Sequence, residues 1–83
     1  MKTIPDFQIV KYLNNGKTEL KCTVIKGEHF CGVLEVFEFS FTCGRIRLWK
    51  ETANTMRLNA EDALEDARLI MIDTIETCNT GSI

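Results

Sequence analysis

An 83-residue chain with 45% hydrophobic and 27% charged residues has the composition of one small globular domain, not of a disordered or fibrous protein. A formal net charge of −2 supplies no global basic field for nucleic acid or anionic lipid, and no stretch reaches the roughly 18 apolar residues of a membrane-spanning helix. The charge is uneven, because residues 1–57 hold nine Lys/Arg against six Asp/Glu, whereas residues 58–83 hold one arginine against six acids.

Residues 6–13 (DFQIVKYL) predict a first strand, rich in aromatic and β-branched side chains. Asn14-Asn15-Gly16 follows as a hairpin signal, since Asn and Gly tolerate the positive φ of tight turns. A second strand is predicted over 18–26, with Leu20, Cys22 and Val24 on one face and Glu19, Lys21 and Thr23 on the other. After the Gly27–Gly32 connection, residues 33–42 predict the strongest strand. Phe37, Phe39 and Phe41 share one of its faces, and Leu34 and Val36 the other. Apolar side chains on both faces predict a central strand. Cys43-Gly44 marks a turn, and 45–50 (RIRLWK) a fourth strand in which Ile46 and Leu48 oppose Arg45, Arg47 and Trp49.

Residues 51–58 are read as a connector. Beyond it, steps of 100° per residue gather Ala60, Ala63, Leu64, Ala67, Ile70, Met71, Ile75 and Cys78 into one arc of about 140°. Glu61, Asp62, Glu65, Asp66, Asp73 and Glu76 take the opposite side, with Arg68 the one cation. Asn59 is placed to cap this helix, Asp62 to complete a capping box, Leu58 and Ala63 to form a hydrophobic staple, and Gly81 to end the segment. A rod of about 28 Å is expected, long enough to cross a four-stranded sheet.

The predicted fold is α+β: a four-stranded antiparallel meander with one long C-terminal helix packed on one face (ββββα). It forms a single domain over 1–83, with sheet in 4–50, connector in 51–58 and helix in 59–79. One helix covers one face, so a homodimer through the spare sheet face is an expected way to cover the other.

The candidate chemistry is thin. The N-terminus, MKTIPDFQIV, carries Asp6 where an export signal needs its apolar run, so a cytoplasmic protein with reduced thiols is expected. Cys22, His29, Cys31 and Cys43 are zinc-type ligands without the tight C-x2-C pair of a structural site, and Cys22 and Cys43 are expected to be buried on strands. His29 and Cys31 lack a third group to orient them, and Glu35 and Glu38 point to opposite faces. No Gly-rich phosphate loop or hydrolase motif occurs. The expectation is therefore no catalytic residue, no metal ligand, no cofactor and no enzymatic activity.

Phe37, Phe39 and Phe41 beside Arg45 and Arg47 are residue types of a base-stacking sheet, but the helix order and glycines of RNA-recognition domains are missing, and core is the better reading. Lys21, Lys26, Arg45, Arg47 and Lys50 leave a basic stripe on the sheet half. A nucleic-acid-binding regulator using that half is the alternative function, and a small thiol or zinc protein a third.

The leading expectation rests on the helix. Glu65, Leu69, Ile72 and Glu76 run along one line of it, flanked by Asp62, Asp66 and Asp73, so that two apolar residues sit among acids. Leu69 and Ile72 are expected to anchor a protein partner with a basic surface, and Glu65, Asp66, Asp73 and Glu76 to steer it. Small, acidic, motif-free domains of this kind act by occupying another protein's surface. A phage-encoded inhibitor of a host defence or nucleic-acid-binding system, of the anti-CRISPR kind, is the concrete form of that expectation. Membrane contact and direct nucleic-acid binding are not expected.

Overall fold

The computed structural model describes residues 2–79, with side chains through residue 77. Strands β1 (Lys2–Leu13), β2 (Thr18–Lys26), β3 (Phe30–Ser40) and β4 (Gly44–Thr52) form one antiparallel sheet in the order β1-β2-β3-β4, and helix α1 (Ala60–Asn79) follows. This is the ββββα meander expected from the sequence. The apolar position predicted at Cys78 and the stop at Gly81 lie outside the described side chains and residues.

The turns follow from residues that accept left-handed backbone. Asn14, Asn15 and Gly16 have φ of 54°, 58° and 85°, and the Asn14 side-chain amide donates to the Thr18 hydroxyl at 3.1 Å. Gly44, with φ of 72°, closes the β3–β4 turn opposite Ser40. That turn contains Cys43, which is exposed, so the expected burial of Cys43 does not hold. It also contains Phe41, fully exposed and beyond the strand that was to carry it.

β1 begins at Lys2, ahead of the predicted start at Asp6. Pro5 reads as a strand breaker, but β1 is an edge strand, and the ladder is irregular between Thr3 and Gln8. A residue without an N–H is tolerated in such a place.

The core lies between α1 and one face of β1, β2 and β3. Leu20, Cys22, Leu34 and Val36 meet Ala67 and Met71, and Val24 meets Ala60 and Ala63. The small residues of α1 let its backbone come down onto β3 at Gly32, where an added Cβ would stand 2.1 Å from the Ala63 carbonyl oxygen. This close seat sends α1 along β2 and β3 instead of across four strands. It packs on β3, β2 and β1, and all nine residues of β4 stay exposed.

β4 is bulged. Val36 pairs with Trp49 and Phe37 with Arg47, which leaves Leu48 as the extra residue. The shift moves Trp49 to the α1 side of the sheet, while Arg45 and Arg47 stay on the other. Strict alternation had placed all three together. On the side without a helix, the Arg45 guanidinium lies over the Phe37 ring at 3.6 Å and donates to both Glu19 carboxylate oxygens at 3.0 and 3.2 Å. Val33 is also buried there, which fits the central place predicted for β3.

The connector prolongs the sheet. The Ala53 N–H donates to the Gly32 carbonyl at 2.9 Å, and Arg57 and Phe30 exchange backbone hydrogen bonds of 2.9 and 2.7 Å. With Arg57 held there, the chain enters α1 with Leu58 at 85% exposure, so the expected Leu58–Ala63 staple is not formed. The cap is formed: the Asp62 N–H donates to Asn59 Oδ1 at 2.9 Å.

Candidate functional site

The outward side of α1 carries the six residues singled out from the sequence. They span an arc of about 120° centred away from the sheet, with Leu69 at its crest. Asp66 and Asp73, two turns apart, lie on the flank toward β4. Glu65, Ile72 and Glu76 lie on the flank toward β1.

The four acids do not present equal charge. Arg68 donates from Nε and a terminal nitrogen to both oxygens of Glu65 at 2.8 and 2.5 Å. Arg57 does the same to Asp66 at 2.8 and 2.9 Å, which ties the connector to the helix. Asp73 and Glu76 are exposed, and no cation lies within ion-pair distance of either among the described residues. Leu69 is 52% exposed, whereas Ile72 is half-buried.

The pairing reaches the ionisation of these groups. Hydrogen bonds from Arg68 hold the Glu65 carboxyl below its ordinary range, against a smaller opposing effect of desolvation. The Arg57 fork does the same to Asp66. A carboxyl depressed on folding contributes stability above its unfolded pKa and loses it as pH falls through the folded value. Thermal stability should therefore decline as the pH drops below about 4, the ordinary Asp value. Asp66→Asn should flatten that decline and lower the neutral-pH Tm by about 4–8 °C, as loss of one such contact does in a domain this size. Thermal melts of both proteins across the acid range check this.

Beside Leu69 the surface dips. Glu51 and Thr52 at the end of β4, which runs past the predicted boundary at residue 50, and Ala53 to Thr55 of the connector, with Asp66, Leu69 and Ile70 of α1, enclose a shallow hollow of about 300 Å³. Nothing in the sequence marks it, because a polar run such as Glu51–Thr55 gives no sign that it will fold back beside a helix.

No family model, curated protein or solved structure matches this chain. Its function has to be read from what its own side chains present.

The other candidates are scattered or already engaged, except that His29 and Cys31 line one hollow with Ile25, Glu28 and Met56. Cys22 lies under α1 with its thiol 3.7 Å from the Met71 sulfur, Cys31 donates to the Ala53 carbonyl at 3.2 Å, and Cys43 sits in the β3–β4 turn. His29 is in the β2–β3 turn, at the opposite end of β3 from Cys43. Among the described residues no group of three or more His, Cys, Asp or Glu side chains is arranged to hold a metal ion. On the uncovered sheet face, Phe37 is capped by Arg45, and Arg47 donates to Glu35 at 3.3 Å. Val10, Tyr12 and Phe39 are the large apolar side chains left open there, with Lys21 and Lys50 beside them. No helix among the described residues is long and apolar enough to cross a membrane.

Proposed function

We propose that the protein is a non-enzymatic binding module whose acidic α1 face docks on a basic surface of another protein. One observation carries the reading. Leu69 stands half exposed at the crest of the helix, framed by Asp73 and Glu76, whose charges no cation among the described residues neutralises. Leu69 offers apolar area to bury, and Ile72 widens it. Asp73 and Glu76 orient the approach and speed the encounter. Glu65 and Asp66, each forked to an arginine, add shape more than charge. A face of this kind competes with phosphate for a nucleic-acid-binding protein, which is the working principle of an anti-CRISPR-like inhibitor of a host defence system.

The uncovered sheet face favours a second reading, self-association or nucleic-acid contact, through Tyr12, Phe39, Lys21 and Lys50. With Phe37 capped and both arginines engaged by glutamates, it has less to offer a base or a phosphate than α1 has to offer a basic protein.

The test is a quantitative pull-down from the producing cell with tagged wild-type protein and with the Asp73→Lys/Glu76→Lys variant. A partner enriched by the wild type should be retained about tenfold less by the variant, and less again at high salt, where exposed charges are screened. A partner held equally by both proteins overturns the reading.

A further inference from the structure

We propose that the trough between α1 and the surface of β4 on the α1 side of the sheet is the seat of a partner α-helix with an apolar stripe and a basic flank. The inference rests on the docking role given to α1 and adds where the partner lies and what shape it has.

Three features carry it. The first is space. α1 sits chiefly over β3 and β2. Strands are spaced about 4.8 Å apart and packed helices about 8–10 Å apart, so a second helix beside α1 comes down over β4. The second is apolar surface. Trp49 and Ile46 lie on the α1 side of the sheet, opposite Val36 and Glu38, and each is 41% exposed. Leu69, 52% exposed, stands on the helix beside Glu51 at the end of β4. A floor of this kind on an edge strand is unusual unless something covers it.

The third feature is charge, and it selects the occupant. Glu38 and Glu51 rise from the sheet side of the trough, and Asp66 and Asp73 from its helical wall. Arg57, which reaches this wall from the connector, is already bound to Asp66. A second copy of the chain fits poorly. Its own α1 would set acids against acids. Edge-to-edge pairing of two β4 strands would bring the cations Arg45, Arg47 and Lys50 beside their counterparts, a common guard against self-pairing. Nucleic acid is repelled by the same carboxylates. A helix with an apolar stripe for Trp49, Ile46 and Leu69 and with Lys or Arg along its edges meets both requirements.

Trp49 is the one tryptophan in the chain, so its emission reports on the trough floor. The full chain is titrated with a short amphipathic Leu/Lys helical peptide lacking aromatic residues, and with its Leu/Glu counterpart, while calorimetry follows binding independently. The Leu/Lys peptide should bind saturably and shift Trp49 emission to the blue, and the Leu/Glu peptide should do neither. Glu51→Lys and Asp73→Lys, which face the trough, should each weaken binding about tenfold. Glu61→Lys, on the far flank of α1, should leave it unchanged. Binding that leaves Trp49 emission unmoved, or that responds to Glu76→Lys and Glu61→Lys but not to Glu51→Lys, overturns the trough while leaving the α1 docking face standing. Absence of binding at about millimolar peptide overturns the trough as well.

Discussion

Gly32→Ala should cost about 3–5 kcal/mol and leave the protein marginal, because the new methyl has nowhere to go. Its carbon would stand 2.1 Å from the Ala63 carbonyl oxygen, 2.9 Å from the Ala67 nitrogen and 3.1 Å from the Ala67 Cβ. Two of those neighbours are backbone, so no rotamer change relieves them. α1 must lift, and lifting it opens the contacts of Ala67 and Met71 with Leu34 and Val36. A domain of this length has about 4–12 kcal/mol in total. Tm should fall by about 15 °C or more. Gly16→Ala is the control: its φ of 85° strains an L residue, but nothing lies within 4 Å of the added carbon. That change should cost about 1 kcal/mol. Ala67→Gly should not rescue Gly32→Ala, because the nearest obstacle is the Ala63 carbonyl. Urea titrations of the variants decide the matter, and equal losses for Gly32→Ala and Gly16→Ala would mean that α1 is not seated on β3 as described.

The seat of α1 also marks where sequence reasoning stops. Periodicity is a local signal, and it found the strands, the helix and its inward face, because Leu20, Cys22, Val24, Ala63, Ala67 and Met71 recur at the right intervals. Gly32 gave no such signal. In a sequence it is a turn residue at the end of a connection, and its role as the contact point of two backbones exists only once α1 returns to it. The bulge at Leu48 is invisible for a related reason. RIRLWK alternates cleanly on paper, and only the pairing of Val36 with Trp49 and Phe37 with Arg47 shows that the alternation slips by one. That slip puts Trp49 on the α1 side. The six helix residues were legible as one outward arc, since a 100° step needs no tertiary knowledge. Their inequality was not. Arg57 is nine residues from Asp66 and belongs to a connector whose path depends on the ladder with Phe30 and Gly32, so the loss of Asp66 as a free charge could not be read from spacing.

Thiol chemistry should divide the cysteines more sharply than any binding assay divides the acids. Cys22 has no exposed surface, and burial pushes its thiol up to about 11, against a weaker opposing pull from Arg68. At pH 8 about one molecule in a thousand would carry the thiolate there, even if reagent could enter. Cys43 is open in its turn, and Cys31 is half-buried with its hydrogen engaged by the Ala53 carbonyl. Among the three cysteines whose side chains are described, alkylation followed by peptide mapping should therefore modify Cys43 first, Cys31 more slowly, and Cys22 on the order of a thousandfold more slowly than Cys43, through openings that lift α1. Gly32→Ala should speed Cys22 modification and leave the Cys43 rate unchanged. The same burial has a sign in pH. A thiol that stays protonated on folding favours the native state below its unfolded pKa, near 9, and that contribution drains away as pH rises toward 11, where the unfolded thiol ionises and the folded one resists. Stability should thus fall on the alkaline side, and Cys22→Ala should remove that part of the slope while opening only a small cavity beside Met71. Modification of Cys22 at the rate of Cys43 in the folded protein would mean that the helix does not cover β2.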